Sequence, residues 1–440
     1  MNTLLLVLTI YFVAYFVYAF SISLYSYFLA KPTKVDSTID YSEHSITVII
    51  PCYNESVVIV NSIKNYLAQD YPNFKIIVVD DGSRDGTGKL VRDYFQLEGP
   101  GSISSRDNLT LIQKKNGGKA AAFNTALRYV DTRYVVTVDA DTLLAKGALF
   151  KLVQPFIQNP KVTAVGCTTG VVNNSVVDTE TNFSRFTFPK KLIHQIQAVE
   201  YIRAFMGQRI FMAKLNATLL ISGACGIFTT QALKSIGGFN ESSICEDFEM
   251  TLRLQRYSRD HKLGWIIAFI PETLAWTEVP SSLENLWKQR VRWYKGILVA
   301  LMEHPGLFKW KYGWVAALAT PTAWLFKVAQ PLTQAFSVVI LVLIMLSHSW
   351  LYALLVGIFV LVLYTIINAI SILTAIKVGL EYDPGWSYIF SGLVELFFTQ
   401  AFYPLVASKS VYDVNRKNLA WNKFSRTGYK IQELSKEIIK

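Results

Sequence analysis

Charge is what this chain is short of. Only 17% of its 440 residues are Asp, Glu, Lys or Arg, while 52% are hydrophobic, and soluble domains run near about a quarter charged. A soluble fold could not hide that much apolar side chain. Cysteine is scarce too: Cys52, Cys167, Cys225 and Cys245 are the whole set and show no CxxC spacing. That argues for reduced thiols and against a disulfide framework or a zinc site. Five scattered histidines add no metal cluster. Residues 1–30 contain no Asp, Glu, Lys, Arg or His, and residues 328–376 contain only His348. Such stretches are long enough to cross about 30 Å of hydrocarbon. The base excess, 43 Lys and Arg against 32 Asp and Glu for a net +11, suits nucleic acid, anionic lipid or a phosphorylated substrate. The apolar runs decide for the membrane and leave no reason to expect a nucleic-acid partner. A purely soluble enzyme, a secreted module and a disordered tail are all excluded.

The first run has no positive n-region and no small-residue cleavage site before Lys31, so it reads as a retained anchor. Lys31 and Lys34 follow it and nothing basic precedes it. The positive-inside bias then puts the amino terminus outside and the chain from about residue 31 in the cytoplasm. Further on, residues 328–347 and 351–376 read as a membrane hairpin. Residues 312–326 are shorter and aromatic, as in an interfacial helix. Residues 384–408 are long enough to cross but contain Glu395 and Pro404, and their topology stays open. The stretch after Ser408 carries eight basic residues against three acidic ones and reads as a cytosolic tail, 409–440, which demands an odd number of spans.

Between these regions the composition is ordinary, and short β-branched runs alternate with amphipathic stretches. Residues 46–53, 75–79, 109–112 and 134–138 predict strands; 55–69, 87–95 and 119–129 predict helices. Near-continuous apolar strands predict a parallel sheet covered on both faces. Ligands bind beyond the carboxyl ends of such strands. Here those ends carry Tyr53-Asn54-Glu55, Asp80-Asp81-Gly82-Ser83, Asn116-Gly117-Gly118-Lys119 and Asp139-Ala140-Asp141.

Each cluster has a chemical and a bland reading. Asp139 and Asp141 can bridge a divalent cation to a diphosphate, or simply cap a loop. Asp80 and Asp81 can accept hydrogen bonds from a base or ribose, or form a type I turn. Lys119 can meet phosphate oxygens, or open a helix. The bland reading is reasonable for each cluster and much weaker for three together. Downstream, Glu246 and Asp247 open a helical stretch, 248–257, where acids complement the helix dipole; if Asp247 faces the site, it can deprotonate an acceptor hydroxyl. Gln289-Arg290-Val291-Arg292-Trp293 lies just before the membrane, as an interfacial belt would. The functional alternative gives Gln289 to the donor, Arg292 to a leaving diphosphate and the Trp293 face to a sugar ring.

Taken in order, Tyr53-Asn54-Glu55-Ser56, Asp80-Asp81-Gly82-Ser83, Asn116-Gly117-Gly118-Lys119, Asp139-Ala140-Asp141-Thr142, Ser222-Gly223-Ala224-Cys225-Gly226, Glu246-Asp247 and Trp287-Lys288-Gln289-Arg290-Val291-Arg292-Trp293 resemble the membrane-bound family 2 glycosyltransferases. The poly-N-acetylglucosamine synthase branch shares the last wording, and cellulose and hyaluronan synthases share the core motifs. The resemblance implies an α/β GT-A domain, Rossmann-like and nucleotide-sugar-binding, at residues 31–280. It would be inserted between an N-terminal transmembrane helix (1–30) and, after interfacial helices (281–327), a C-terminal α-helical membrane bundle (328–408). Carried onto matching positions, it gives Glu55, Asp80 and Asp81 the uridine, and Lys119 and Asp139 the diphosphate. Asp141, with Asp139, would ligate Mg²⁺ or Mn²⁺. Asp247 would be the base, with Glu246 beside it, and Gln289, Arg290 and Arg292 would serve the donor. Gly223, Ala224 and Cys225 would line the acceptor terminus, with Trp293 stacked beneath. The implied reaction is processive and inverting: a UDP-sugar, UDP-GlcNAc first and UDP-glucose second, extends a growing glycan that is exported across the lipid membrane. The alternative is transfer of a single sugar to a lipid acceptor. No accessory subunit is legible.

Overall fold

The computed structural model describes residues 2–99, 101–173, 175–177, 184–329, 331 and 350–416. The β-branched runs form strands β1 (Ile46–Cys52), β2 (Phe74–Asp80), β3 (Ile103–Arg106), β4 (Leu109–Gln113), β5 (Tyr134–Val138), β6 (Leu143–Leu144) and β7 (Val162–Val171). A small hairpin, β8 (Val176–Val177) with β9 (Ser184–Arg185), stands apart, and β10 (Cys225–Thr229) and β11 (Ile266–Thr277) follow. Nine of them make one sheet in the order β3-β4-β2-β1-β5-β10-β7-β11-β6. Alternate residues of β1 feed opposite cores: Ile46, Val48 and Ile50 pack on one side of the sheet and Ile49 on the other. Burial on both faces is why these strands read as continuous apolar runs.

The four expected strands do run parallel, and further strands make the whole sheet mixed. β4, β2, β1 and β5 run parallel, as do β7 and β11, but β3, β6 and β10 are antiparallel to their neighbours. For β3 and β4 the reason is local: two residues, Asp107 at φ 52° and Asn108, connect them, and so short a link can only make a hairpin. For β10 the reversal positions the site. Cys225 pairs with Val138, so β10 begins where β5 ends, and residues 222–224 lie beside Asp139.

The expected helix at 55–69 begins only at Ile59. The residues before it are committed to the neighbouring loop: Asn54 is left-handed at φ 54°, its N–H donates to Ser83 Oγ, and its Oδ1 accepts the Arg84 N–H.

Outside the sheet, Asn2–Leu29 is a single helix. Trp350–Lys377 and Gly385–Asn415 are helices whose apolar stretches, Leu354–Lys377 and Gly385–Asn415, are long enough to cross a membrane. The second passes through Pro404 without ending. Its acid is also explained: Glu395, fully buried, accepts two hydrogen bonds from Arg203 at 2.7 and 2.9 Å. At the expected interfacial helix, 312–326, the structure has a continuous helical run, Val315–Ala329, of alternating π and α turns after a 3₁₀ turn at Trp310–Tyr312. Most of the first arm of the expected hairpin, 332–347, and the tail from residue 417 lie outside the described residues.

Candidate active site

The parallel strand ends deliver the predicted clusters to one edge, where they separate into two groups. In the first, Asp81 is a knot. Its Oδ1 accepts from Lys114 Nζ at 2.6 Å and from the Gly117 N–H at 2.9 Å, and its Oδ2 accepts from the Gly118 N–H at 2.7 Å. Asp80 Oδ1 accepts the Ser83 N–H at 2.9 Å and its Oδ2 accepts from Gln113 Nε2 at 3.3 Å. Gly82 must be glycine: φ is +77°, and a Cβ would stand 2.8 Å from the Asn116 nitrogen. Glu55 is buried nearby, its N–H donating to Thr87 Oγ1 at 2.9 Å. These carboxylates therefore hold two loops against each other. Asp81→Ala is expected to destabilise the chain by about 2–4 kcal/mol, since three donors lose a charged acceptor. A lowered thermal unfolding midpoint checks this, and unchanged unfolding would leave the residue no structural role.

The second group is catalytic in form. Lys119 Nζ lies 2.7 Å from both Asp139 Oδ1 and Glu246 Oε1. Asp247 stands at the start of the helix Glu246–Asp260. Its Oδ2 accepts the Gly223 N–H at 2.8 Å, while its Oδ1 takes the Phe248 N–H at 2.7 Å and the Cys245 thiol at 3.1 Å. One oxygen thus caps the helix and the other faces the glycine turn, so the dipole and site readings coexist. Burial, then the neighbouring Glu246 charge, push the Asp247 carboxyl up from its usual range. Glu246 is buried as well, but Lys119 outweighs that burial and holds it below the usual range. Burial likewise opposes the Lys119 charge, and Asp139, Glu246 and Asp247 overcome it and raise its pKa. The two adjacent acids therefore differ in proton affinity, the pattern of an acid–base site.

These groups open into a cavity of about 490 Å³. Lys119, Asp139, Gly223, Ala224, Glu246, Asp247, Gln289, Arg290, Arg292 and Trp293 all line it. Arg292 has no ion pair among the described residues, and its charge reaches Glu246. Arg290 is already engaged: Nη2 donates to Glu200 Oε2 at 2.8 Å, Nε to the Tyr403 hydroxyl at 3.1 Å, and Nη1 to Gln289 Oε1. Its guanidinium also covers the Trp293 ring 4.4 Å from the centroid. Cys225 is turned away, wholly buried in β10 next to Cys167. Asp141 is fully buried, and its Oδ2 accepts from Thr277 Oγ1 at 3.3 Å. Glu55, Asp80, Asp81, Cys225 and Asp141 are not among the residues lining the cavity.

The profile described as "Glycosyltransferase like family 2" matches residues 44–296, more than half of the chain. The chain belongs to glycosyltransferase family 2. This family 2 glycosyltransferase is 29% identical over 278 residues to the poly-β-1,6-N-acetyl-D-glucosamine synthase of Staphylococcus epidermidis (strain ATCC 35984), covering 62% of this chain and 60% of that one. It is 29% identical over 279 residues to the enzyme of the same name from Staphylococcus aureus (strain COL). The match thus spans about 60% of the length of these relatives. Among solved structures it is similar to a mannosyltransferase from Pyrobaculum calidifontis in complex with GDP-mannose and Mn²⁺. That likeness has 25% identity and a TM-score of 0.50 over 82% of this chain and 95% of that one.

Several cavity residues were not legible in the sequence. Glu200 and Tyr403 meet only because a helix of the catalytic half packs on Gly385–Asn415, and the same holds for Arg203 and Glu395. One signal was there: an acid inside an apolar helix demands a partner, and Glu395 is one.

Proposed function

We propose that this enzyme is a processive, inverting β-glycosyltransferase that polymerises a UDP-sugar, UDP-GlcNAc first and UDP-glucose second, into an exopolysaccharide. One observation carries the reading. The cavity holding Lys119, Asp139 and Asp247 continues past Trp293 to Tyr364, Gln400 and Tyr403 on the two long apolar helices and to Tyr15 on the first helix. A site that joins transfer chemistry to membrane-type helices suits a chain that grows and leaves. The names of the staphylococcal relatives favour N-acetylglucosamine.

In this reading Asp247 takes the proton of the acceptor hydroxyl, and its raised pKa suits a general base. With one base working from the acceptor side, attack comes from the face opposite the nucleotide, and an α-linked donor gives a β-linkage. Gly223 and Ala224 admit the acceptor close to backbone. Gln289 and Arg292 face the donor, with Arg292 supplying free positive charge to the departing diphosphate. Lys119 exchanges its carboxylate partners for phosphate oxygens, and Glu55, Asp80 and Asp81 shape the loops that take uridine. Asp139 and Asp141 are hard oxygen donors one residue apart, a set that fits Mg²⁺ or Mn²⁺, which take one or two carboxylates and complete their shell from phosphates. Bound there, the cation would neutralise charge building on the diphosphate. Residues 31–311 face the cytoplasm, where UDP-sugars are available, and 1–30 is the anchor.

The test is product size from the purified full chain with each UDP-sugar: a ladder or polymer supports the reading, and a single addition or no product overturns it. Trp293→Ala adds a second readout. Arg290 covers one face of the indole, leaving the other for sugar. Loss of that face should weaken acceptor engagement by about 1 kcal/mol, shortening polymer or slowing initiation while UDP binding stays intact. Full-length product at the normal rate would return Trp293 to an interfacial role.

A further inference from the structure

Four cations of the cavity, Arg203, Arg209, Arg290 and Lys327, lie outside the Lys119 cluster, and two of them have ion pairs. Arg203 is matched by Glu395, and Arg290 by Glu200. Arg209 and Lys327 remain. Arg209 ends the π-helical turn Phe205–Arg209; its guanidinium rests 3.9 Å from the Phe205 ring centroid, and its buried Nη1 has no hydrogen-bond partner among the described residues. Burial outweighs the opposing Asp247 charge and pulls this guanidinium down to about 10. Lys327 comes from a second π-helical run, Ala323–Ala329. It has no ion pair or hydrogen bond among the described residues and lies within electrostatic reach of Arg209. Both side chains line the cavity. Glu200, the carboxylate within reach of Lys327, already accepts from Arg290 and from the Tyr403 hydroxyl.

Two partly buried cations facing each other, neither with an ion pair among the described residues, are costly, and π turns gather at functional sites. Here two such turns, far apart in sequence, bring one cation each to the same cavity. A neutral glycan would not offset that charge. A guanidinium, which grips phosphate oxygens in pairs, set beside an ammonium, which acts as a point charge, matches a phosphate ester. Arg209 is also within electrostatic reach of Asp247, so an anion held there lies on the acceptor side of the base.

We propose that Arg209 and Lys327 bind a phosphate ester carried by the acceptor, presenting it to Asp247 by its phosphate as well as by its sugar. This rests on the transferase reading above and adds to it the chemical class of acceptor. Beyond the two cations the cavity is lined by Tyr15, Phe16, Phe326, Tyr364 and Leu396, a surface suited to a lipid tail. The phosphate can therefore belong to a lipid that carries the acceptor sugar or to the sugar itself, and polyprenyl phosphate and N-acetylglucosamine 6-phosphate probe the two cases.

The experiment uses the full chain in detergent with saturating UDP, which fills the nucleotide site. Four probes are titrated by calorimetry: a polyprenyl phosphate, the matching polyprenol, N-acetylglucosamine 6-phosphate and N-acetylglucosamine. We expect at least one phosphorylated probe to bind tenfold or more tightly than its neutral match. That preference should fall tenfold or more in Arg209→Gln and in Lys327→Gln, with UDP affinity unchanged in both. Lys327→Gln suffices should Arg209→Gln fail to fold. Preference for polyprenyl phosphate alone assigns the phosphate to a lipid, and preference for both phosphorylated probes shows that the group itself is enough. No preference in the wild type, or an undiminished preference in the variants, overturns the proposal. Failure of the wild type to bind UDP would instead overturn the UDP-sugar reading, and the phosphate preference is still measurable without UDP.

Discussion

Asp247→Asn is expected to cut turnover by about two to four orders of magnitude while UDP affinity stays the same. Asn matches Asp in size and can still accept the Gly223 N–H through its carbonyl oxygen, so the turn over the acceptor end keeps its place. What it cannot do is take a proton. The pH profile sharpens the test. Burial and Glu246 raise the Asp247 pKa, and the base works only when ionised, so activity should be full above that raised pKa and fall as pH drops through it. The acid limb of the wild-type kcat/KM profile should therefore lie above the usual aspartate range. A variant with near wild-type turnover, or one whose UDP affinity falls in step with its rate, would remove Asp247 from the role of base.

Asp141→Asn should abolish turnover almost completely. Its side chain is buried, with Thr277 Oγ1 donating to Oδ2. Asn keeps the volume and an acceptor for Thr277, so folding should hold and thermal unfolding should shift by no more than about 1 kcal/mol. The loss would come from removing negative charge at a site that must hold a cation against a diphosphate. Chelation with EDTA should silence the wild type in the same way, and Mg²⁺ or Mn²⁺ should restore it. Wild-type rates in the variant, or full activity in EDTA, would return Asp139 and Asp141 to a capped loop. Asp139→Asn is the companion: it also frees Lys119 from a partner at 2.7 Å, so it should weaken donor binding as well as turnover.

What depends on order along the chain was legible in the residues themselves. β-branched runs buried on both faces predicted β1, β2, β4 and β5 within a residue or two of their ends. Because those strands are parallel, their carboxyl ends had to bring Asp80, Asp81, Lys119 and Asp139 to one edge. Motif order was enough to indicate the family. Tertiary structure alone decided which of those groups share a cavity. Asp81 is consumed in tying Gly117, Gly118 and Lys114 together, whereas Lys119 bridges Asp139 and Glu246 across more than a hundred residues. The reversal of β10 was also invisible, since an antiparallel strand buried on both faces has the same apolar pattern as a parallel one; yet that reversal sets Gly223 beside Asp139 and Asp247. The charges of the inner cavity follow the same rule. Arg203, Arg209, Arg290 and Lys327 look alike in sequence, and only packing shows that, among the described residues, two of them form ion pairs and two do not, because an ion pair is defined by distance in space and a sequence records distance along the chain.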